Sequence, residues 1–235
     1  MGLGEPVGGR PGPRETAPPD RHRSPGSSEK GIGVKLRVGM ATVLLALAML
    51  PGAARAGDPP KTESAIFAGG CFWCMQPPFE KLKGVISTTV GYTGGHTKNP
   101  TYEDVSAGGT GHAESVRIVY DPEQIHYEDL LNVFWHNIDP LTPEAQFCDH
   151  GHQYRSAIFY QGEEQHRLAE ASKQKLEESK RFPSPIVTEI VPASEFYPAE
   201  EYHQKYHEKN PARYAFYRWN CGRDQRLDEI WGKNR

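Results

Sequence analysis

The chain has 235 residues, 37% hydrophobic and 24% charged, with a formal net charge of −3, enough for one substantial domain with its own core. Charge is unevenly placed: residues 1–56 hold eight Lys/Arg against four Asp/Glu, which leaves 19 basic and 26 acidic side chains, a net charge of −7, in the remainder. An acidic remainder with scattered cations argues against a nucleic-acid or anionic-membrane binder, and four cysteines are too few for a disulfide-stapled miniprotein.

Residues 1–33 are Gly, Pro, Ser and charge with almost nothing to bury, and are expected to form a disordered extension. Residues 34–56 follow a signal-peptide pattern. Lys35 and Arg37 precede the eleven apolar residues Met40–Leu50; Pro51 and Gly52 end the run, and Ala54-Arg55-Ala56 has small-x-small spacing. Eleven residues are too few to span a bilayer. Cleavage after Ala56 would leave a catalytic domain over 57–235, exported to the periplasm and not inserted in the membrane.

Along 57–235 the pattern predicts a buried strand at Ser64–Ala68, ended by Gly69-Gly70, and a helix over Cys71–Leu82 in which Pro77-Pro78 is awkward. Val85–Tyr92 is β-branched and strand-like, Thr93–Ala113 reads as loop, and Glu114–Tyr120 as strand. Then come a helix at Tyr127–Asn137, a polar loop at Asp139–Gln153, a strand at Ser156–Gln161 and a charged helix over Glu163–Arg181. A strand at Ile186–Val191 and a helix at Ala199–His207 complete the order. The alternation predicts an α+β sandwich with helices covering one sheet.

The chemistry concentrates at Gly70-Cys71-Phe72-Trp73-Cys74. A cysteine opening a helix faces unpaired N–H groups and the positive dipole end, so Cys71 is expected to be a low-pKa nucleophile. Cys74 lies one turn on, within disulfide reach. A lone cysteine is ordinarily a small buried hydrophobe, but the Gly-Gly turn and the CxxC spacing outweigh that here. Half a zinc site would need further ligands, and Cys148 and Cys221 lie alone in the sequence, Cys148 reading as a buried or semi-buried free thiol. Glu114, in Gly111-His112-Ala113-Glu114, is a candidate proton donor if burial raises its pKa; a solvated strand-edge carboxylate is the plain alternative. Asp149, Tyr154 and Tyr102 lie in polar loops where tyrosyl hydroxyls could bind a polar oxygen. Phe72-Trp73 could wall a methyl or thioether group. The pairs His150/His152 and His203/His207 find no matching further ligands, so no metal is assigned.

These residues resemble the A-type peptide methionine sulfoxide reductase family. The matching segments are Gly69-Gly70-Cys71-Phe72-Trp73, Val90-Gly91-Tyr92, Asn99-Pro100-Thr101-Tyr102, Gly111-His112-Ala113-Glu114 and Gln153-Tyr154-Arg155-Ser156, in family order over about 85 residues. The resemblance implies a single-domain α+β two-layer sandwich with a ferredoxin-like core; a monomer is the default expectation, apart from the resemblance. It implies reduction of the S epimer of methionine sulfoxide, free or in proteins. Cys71 would attack the sulfoxide sulfur, Glu114 would protonate the oxygen, Tyr102 and Tyr154 would hydrogen-bond it, Phe72 and Trp73 would hold the methyl group, and Asp149 would organise the site. No bound cofactor is implied; the electrons come from an external dithiol, thioredoxin or a thioredoxin-like protein. Many members have glycine at the Cys74 position and a glycine-rich cysteine tail that this chain lacks, so Cys74 and Cys221 both remain resolving candidates. The competing reading is a thiol–disulfide oxidoreductase built on the Cys71/Cys74 pair.

Overall fold

The computed structural model describes residues 61–233. The expected extension over 1–33 and signal peptide over 34–56 lie outside the described residues.

Strand β1 (Glu63–Gly69) is buried over its last five residues, as a central strand packed on both faces should be. Helix α1 (Phe72–Glu80) follows the Gly70 turn and is shorter than the predicted Cys71–Leu82; Cys71 is its N-cap. It keeps Pro77 and Pro78 inside because Met75, Pro77 and Phe79 are buried against the sheet, so packing overrides the backbone cost. β2 (Val85–Thr93) and β3 (Ala113–Tyr120) form an antiparallel pair with Tyr92 opposite Glu114. The segment between them, read as loop, contains α2 (Tyr102–Ala107). Its start was legible: Thr101 accepts from the Asp104 N–H while Asp104 accepts from the Thr101 N–H, a capping box.

α3 (Tyr127–Trp135) follows, and the polar loop predicted at Asp139–Gln153 folds into a small hairpin, β4 (Ala145–Gln146) and β5 (Asp149–His150), with Phe147 and Cys148 at its tip. A single 3-10 turn, His152–Tyr154, leads into β6 (Ser156–Tyr160). α4 (Glu163–Glu178) crosses to β7 (Glu189–Pro192), which pairs parallel to β6. After β8 (Tyr197–Pro198) the helix predicted over Ala199–His207 does not form. The chain turns through 201–205, reaches left-handed φ at Lys205, and only then makes the four-residue α5 (Tyr206–Lys209). The physical reason is tertiary: His203 is drawn inward to bond Trp73 instead of lying on a helix face. α6 (Pro211–Asn220) and α7 (Arg223–Trp231) end the described chain.

The six strands run in the order β7-β6-β1-β3-β2-β8. Its four central strands, β6-β1-β3-β2, are mutually antiparallel, with α1 joining β1 to β2 and α3 lying between β3 and β6. That is the expected ferredoxin-like core. Alternation along β1 sorts the two layers. Ala65 and Phe67 face the helical layer, where Phe67 stacks on Phe134 at 5.0 Å and Phe79 at 5.6 Å. Ile66 and Ala68 face the opposite layer, covered by Ala193 and Phe196 of the connection into β8. The C-terminal ends of β1 and β2, the start of β3 and the β4–β5 hairpin thereby converge beside the first turn of α1.

Candidate active site

At the end of β1 the chain reverses at Gly70 with φ +79°, and a Cβ there would collide with the Gln146 side chain of β4. Glycine meets both conditions. The turn delivers Cys71 to the N-cap of α1, 5% exposed, with Cys74 one turn along; the Cys74 N–H donates to the Cys71 carbonyl at 3.0 Å. Both thiols are free and share a hydrogen bond. The expected low pKa of Cys71 is overturned. Burial pushes this thiol well up, and the Cys74 hydrogen bond and the charges of Cys74, Glu114 and Asp149 push the same way. Removal from water outweighs the helix end. The acidic partner of the pair is Cys74, brought down to about 7 by the hydrogen bond from Cys71, against burial and with help from Arg223 and Arg218.

Glu114, on β3, is 3% exposed and accepts the Phe72 N–H at 3.0 Å. Burial lifts its carboxyl to about 8; the Phe72 bond opposes the rise, and the charges of Asp149 and Cys74 add to it. The carboxyl therefore carries a proton at neutral pH, the state a proton donor requires. The solvated strand-edge alternative does not describe it.

Tyr102 opens α2 and Tyr154 closes the 3-10 turn, two segments far apart in the chain. Burial comes first in raising both hydroxyls, and each feels the charges of Glu114, Cys71 and Asp149. Asp149, on β5, accepts the Tyr217 hydroxyl at 2.6 Å and is itself pushed up by burial. Tyr217 lies within hydrogen-bond reach of the Cys71 thiol as well. It was missed in the sequence, where a tyrosine one turn before Cys221 carries no signal of its own.

Phe72 is fully buried against Tyr92 and His203, with ring centroids at 5.9 and 5.1 Å. Trp73 is half-buried. Its indole stacks on Tyr206 at 3.8 Å, stands edge-on to Tyr217 at 5.8 Å and donates to His203 Nδ1 at 3.0 Å. Glu200 accepts the Tyr92 hydroxyl at 2.9 Å and the Tyr102 N–H at 2.8 Å. The expected apolar wall exists, and Tyr206, His203 and Glu200 support it from a segment weighed in the sequence only for a His203/His207 metal pair.

Cys221 does not meet Cys71. It is bonded to Cys148, with Cα atoms 5.0 Å apart across 73 residues. This corrects the reading of Cys148 as a buried or semi-buried free thiol, since it is exposed and bonded, and removes Cys221 from the free thiols beside Cys71. The hairpin tip and the end of α6 are brought together by tertiary packing, which no local pattern encodes. Cys148 is exposed, and Asp149 next to it joins this disulfide to the Tyr217–Cys71 corner.

A buried acid and a buried thiol, with two tyrosyl hydroxyls close enough to feel their charges and an aromatic wall beside them, can protonate a weakly basic oxygen while sulfur attacks the atom that bears it. Comparison with known proteins agrees. The sequence model of a family described as peptide methionine sulfoxide reductase matches residues 63–235. The peptide methionine sulfoxide reductase MsrA of Bacillus licheniformis is 53% identical over 173 residues, 74% of this chain and 96% of that one. Its namesake from Bacillus subtilis is 53% identical over 172 residues, 73% of this chain and 97% of that one. Among solved structures, reduced Mxr1 from Saccharomyces cerevisiae superposes with a TM-score of 0.62 at 32% identity, covering 66% of this chain and 89% of its own. Methionine sulfoxide reductase A of Corynebacterium diphtheriae gives 0.58 at 38% identity, covering 66% and 77%.

Proposed function

The chain belongs to the peptide methionine sulfoxide reductase family, and from that premise we propose how its own residues restore methionine from the S epimer of methionine sulfoxide, free or in proteins. Phe72 and Trp73 seat the methyl group, and Tyr102 and Tyr154 take the sulfoxide oxygen. The Cys71 sulfur attacks the sulfoxide sulfur as Glu114 gives its proton to the oxygen; the thiol proton of Cys71 restores Glu114. The hydroxyl passes to Cys71, methionine leaves, and Cys71 is left as a sulfenic acid. Cys74, buried one turn away, closes on it as a disulfide and water is released. Two electrons from an external dithiol then restore the pair.

The observation that carries this reading is Glu114, a carboxyl buried to the point of holding its proton at neutral pH, bonded to the N–H that follows the nucleophile. The dithiol is a thioredoxin-like protein. The signal-peptide pattern of residues 34–56 supports an exported enzyme served by a membrane-linked donor.

The test is a single turnover of reduced protein (Gly57–Arg235) with each epimer in turn. Consumption of the S epimer alone, with one methionine formed and two thiols lost, is expected. Reduction of neither epimer would overturn the proposal and promote disulfide exchange by Cys71/Cys74.

A further inference from the structure

Arg223, the first residue of α7, is the most deeply buried cation described here, 1% exposed, and no step above uses it. Its Nη2 donates to the Gly69 carbonyl at 3.0 Å, to the Asn137 carbonyl at 2.7 Å and to the Met75 sulfur at 2.9 Å. The guanidinium lies 4.4 Å from the Phe147 ring centre, and Nε has no hydrogen-bond partner. Each of these acceptors is neutral. A buried charge satisfied only by dipoles is costly unless an anion forms beside it. Two of the contacts, Gly69 and Met75, bracket the Cys71–Cys74 turn, so the guanidinium is set under that turn.

We propose that Arg223 is a positioning residue for the resolving step, the fixed counter-charge that keeps Cys74 a thiolate inside the dry site. The inference rests on Cys74 as the resolving cysteine. In that step the Cys74 thiolate attacks the sulfur of the Cys71 sulfenic acid. The S–S bond forms as the S–O bond breaks, and hydroxide leaves and takes a proton to become water. Cys74 is oxidised and the Cys71 sulfur reduced. A neutral thiol attacks poorly, so the charge state of Cys74 limits how long the sulfenic acid stays open to over-oxidation.

The groups that act on Cys74 come from five elements. Cys71, at the start of its own helix, bonds it. Arg223 of α7 and Arg218 of α6 favour the thiolate, and Asp149 of β5 opposes it. Glu114 of β3 and Tyr214 of α6 are also coupled to it by charge. Arg218 is already bound to Asp224 at 2.6 and 2.8 Å, which leaves Arg223 as the cation with a charge to spare for Cys74.

The experiment uses Gly57–Arg235 carrying Cys71→Ser, which keeps a hydroxyl donor and leaves Cys74 as the free thiol while Cys148 and Cys221 stay bonded. Thiolate absorbance is followed against pH with Arg223 native, Arg223→Lys and Arg223→Met. The expected midpoint is close to neutral with arginine, is held by lysine, and rises by about one pH unit or more with methionine. In the Cys71-intact protein, Arg223→Met should still form the first methionine but close the Cys71–Cys74 disulfide about tenfold more slowly at pH 7 than the native protein. An unchanged midpoint in a folded Arg223→Met protein overturns the proposal. If that variant does not fold, a native-Arg223 midpoint at or above the ordinary thiol value overturns it instead. Failure of the intact protein to form any Cys71–Cys74 disulfide would sink the resolving role of Cys74, while the absorbance midpoint would still decide whether Arg223 holds its charge.

Discussion

Cys71 and Cys74 stand on one helical turn, buried and free, whereas Cys148, exposed, and Cys221, half-buried, are 73 residues apart and bonded. Nearness in sequence therefore does not decide which cysteines pair. The first two sit in a dry pocket with an acid, a cation and tyrosyl hydroxyls, where the fold controls their protons. The second two join a hairpin tip to the end of α6 and close a long loop, the situation in which a cross-link restricts the unfolded chain most. Asp149 belongs to both regions, following Cys148 in the chain and accepting the Tyr217 hydroxyl at the Cys71 corner. In the proposed reaction the buried pair does the chemistry, while the Cys148–Cys221 bond ties the hairpin tip to the end of α6.

The largest effect that separates the two regions is expected from Cys71→Ser, which should form no methionine even in a first turnover. Cys74→Ser should form one methionine per protein and stop, as measured by quenched single-turnover chromatography.

Glu114→Gln should slow methionine formation by about 10²- to 10⁴-fold. In the native protein the rate should be flat below about pH 8 and fall above it as the Glu114 carboxyl loses its proton. The same raised carboxyl binds a proton in the folded state that the unfolded chain has already released, so stability should decline as pH rises from about 4.5 to about 8. Thermal melts of Glu114→Gln should lack that component of the decline.

Replacing both Cys148 and Cys221 by serine should lower the unfolding free energy by about 4 kcal/mol, the chain-entropy value for a loop of that length, read by denaturant unfolding. The first methionine should still form. A first turnover lost as completely as in Cys71→Ser would break the division between a reacting pair and a holding pair. The smallest effect is expected at Trp219, 75% exposed on α6, where Trp219→Ser should change stability by less than about 0.5 kcal/mol.

Much of the site was legible along the chain because its chemistry is carried by short motifs. Gly70-Cys71 announces a turn into a helix, and Glu114 and Tyr154 sit where loop meets strand or turn. β1, β2, β3 and β6 were legible to within a residue or two from β-branched and apolar runs; β7 starts at Glu189 rather than Ile186, and the two-residue strands β4, β5 and β8 left no such run to read. Helix ends were less legible. α1 tolerates two prolines because its buried face outweighs their cost, and Ala199–His207 lost its helix to the contacts of His203 with Trp73 and the surrounding rings. Tyr217 and Arg223 had no local signature, and His203 showed only as half of a histidine pair, since each acts through a partner more than sixty residues away.

The sequence by itself singled out Cys71, Glu114, Tyr102 and Tyr154 as candidate site residues and determined the α+β order of elements, since these depend on residue type and short spacing. Tertiary structure alone decided that Cys148 bonds Cys221, that Cys71 is the less acidic thiol of its turn, and that a buried arginine lies beneath it. Pairing and protonation follow from distances and from the exclusion of water, and both are set by which distant segments the core brings together.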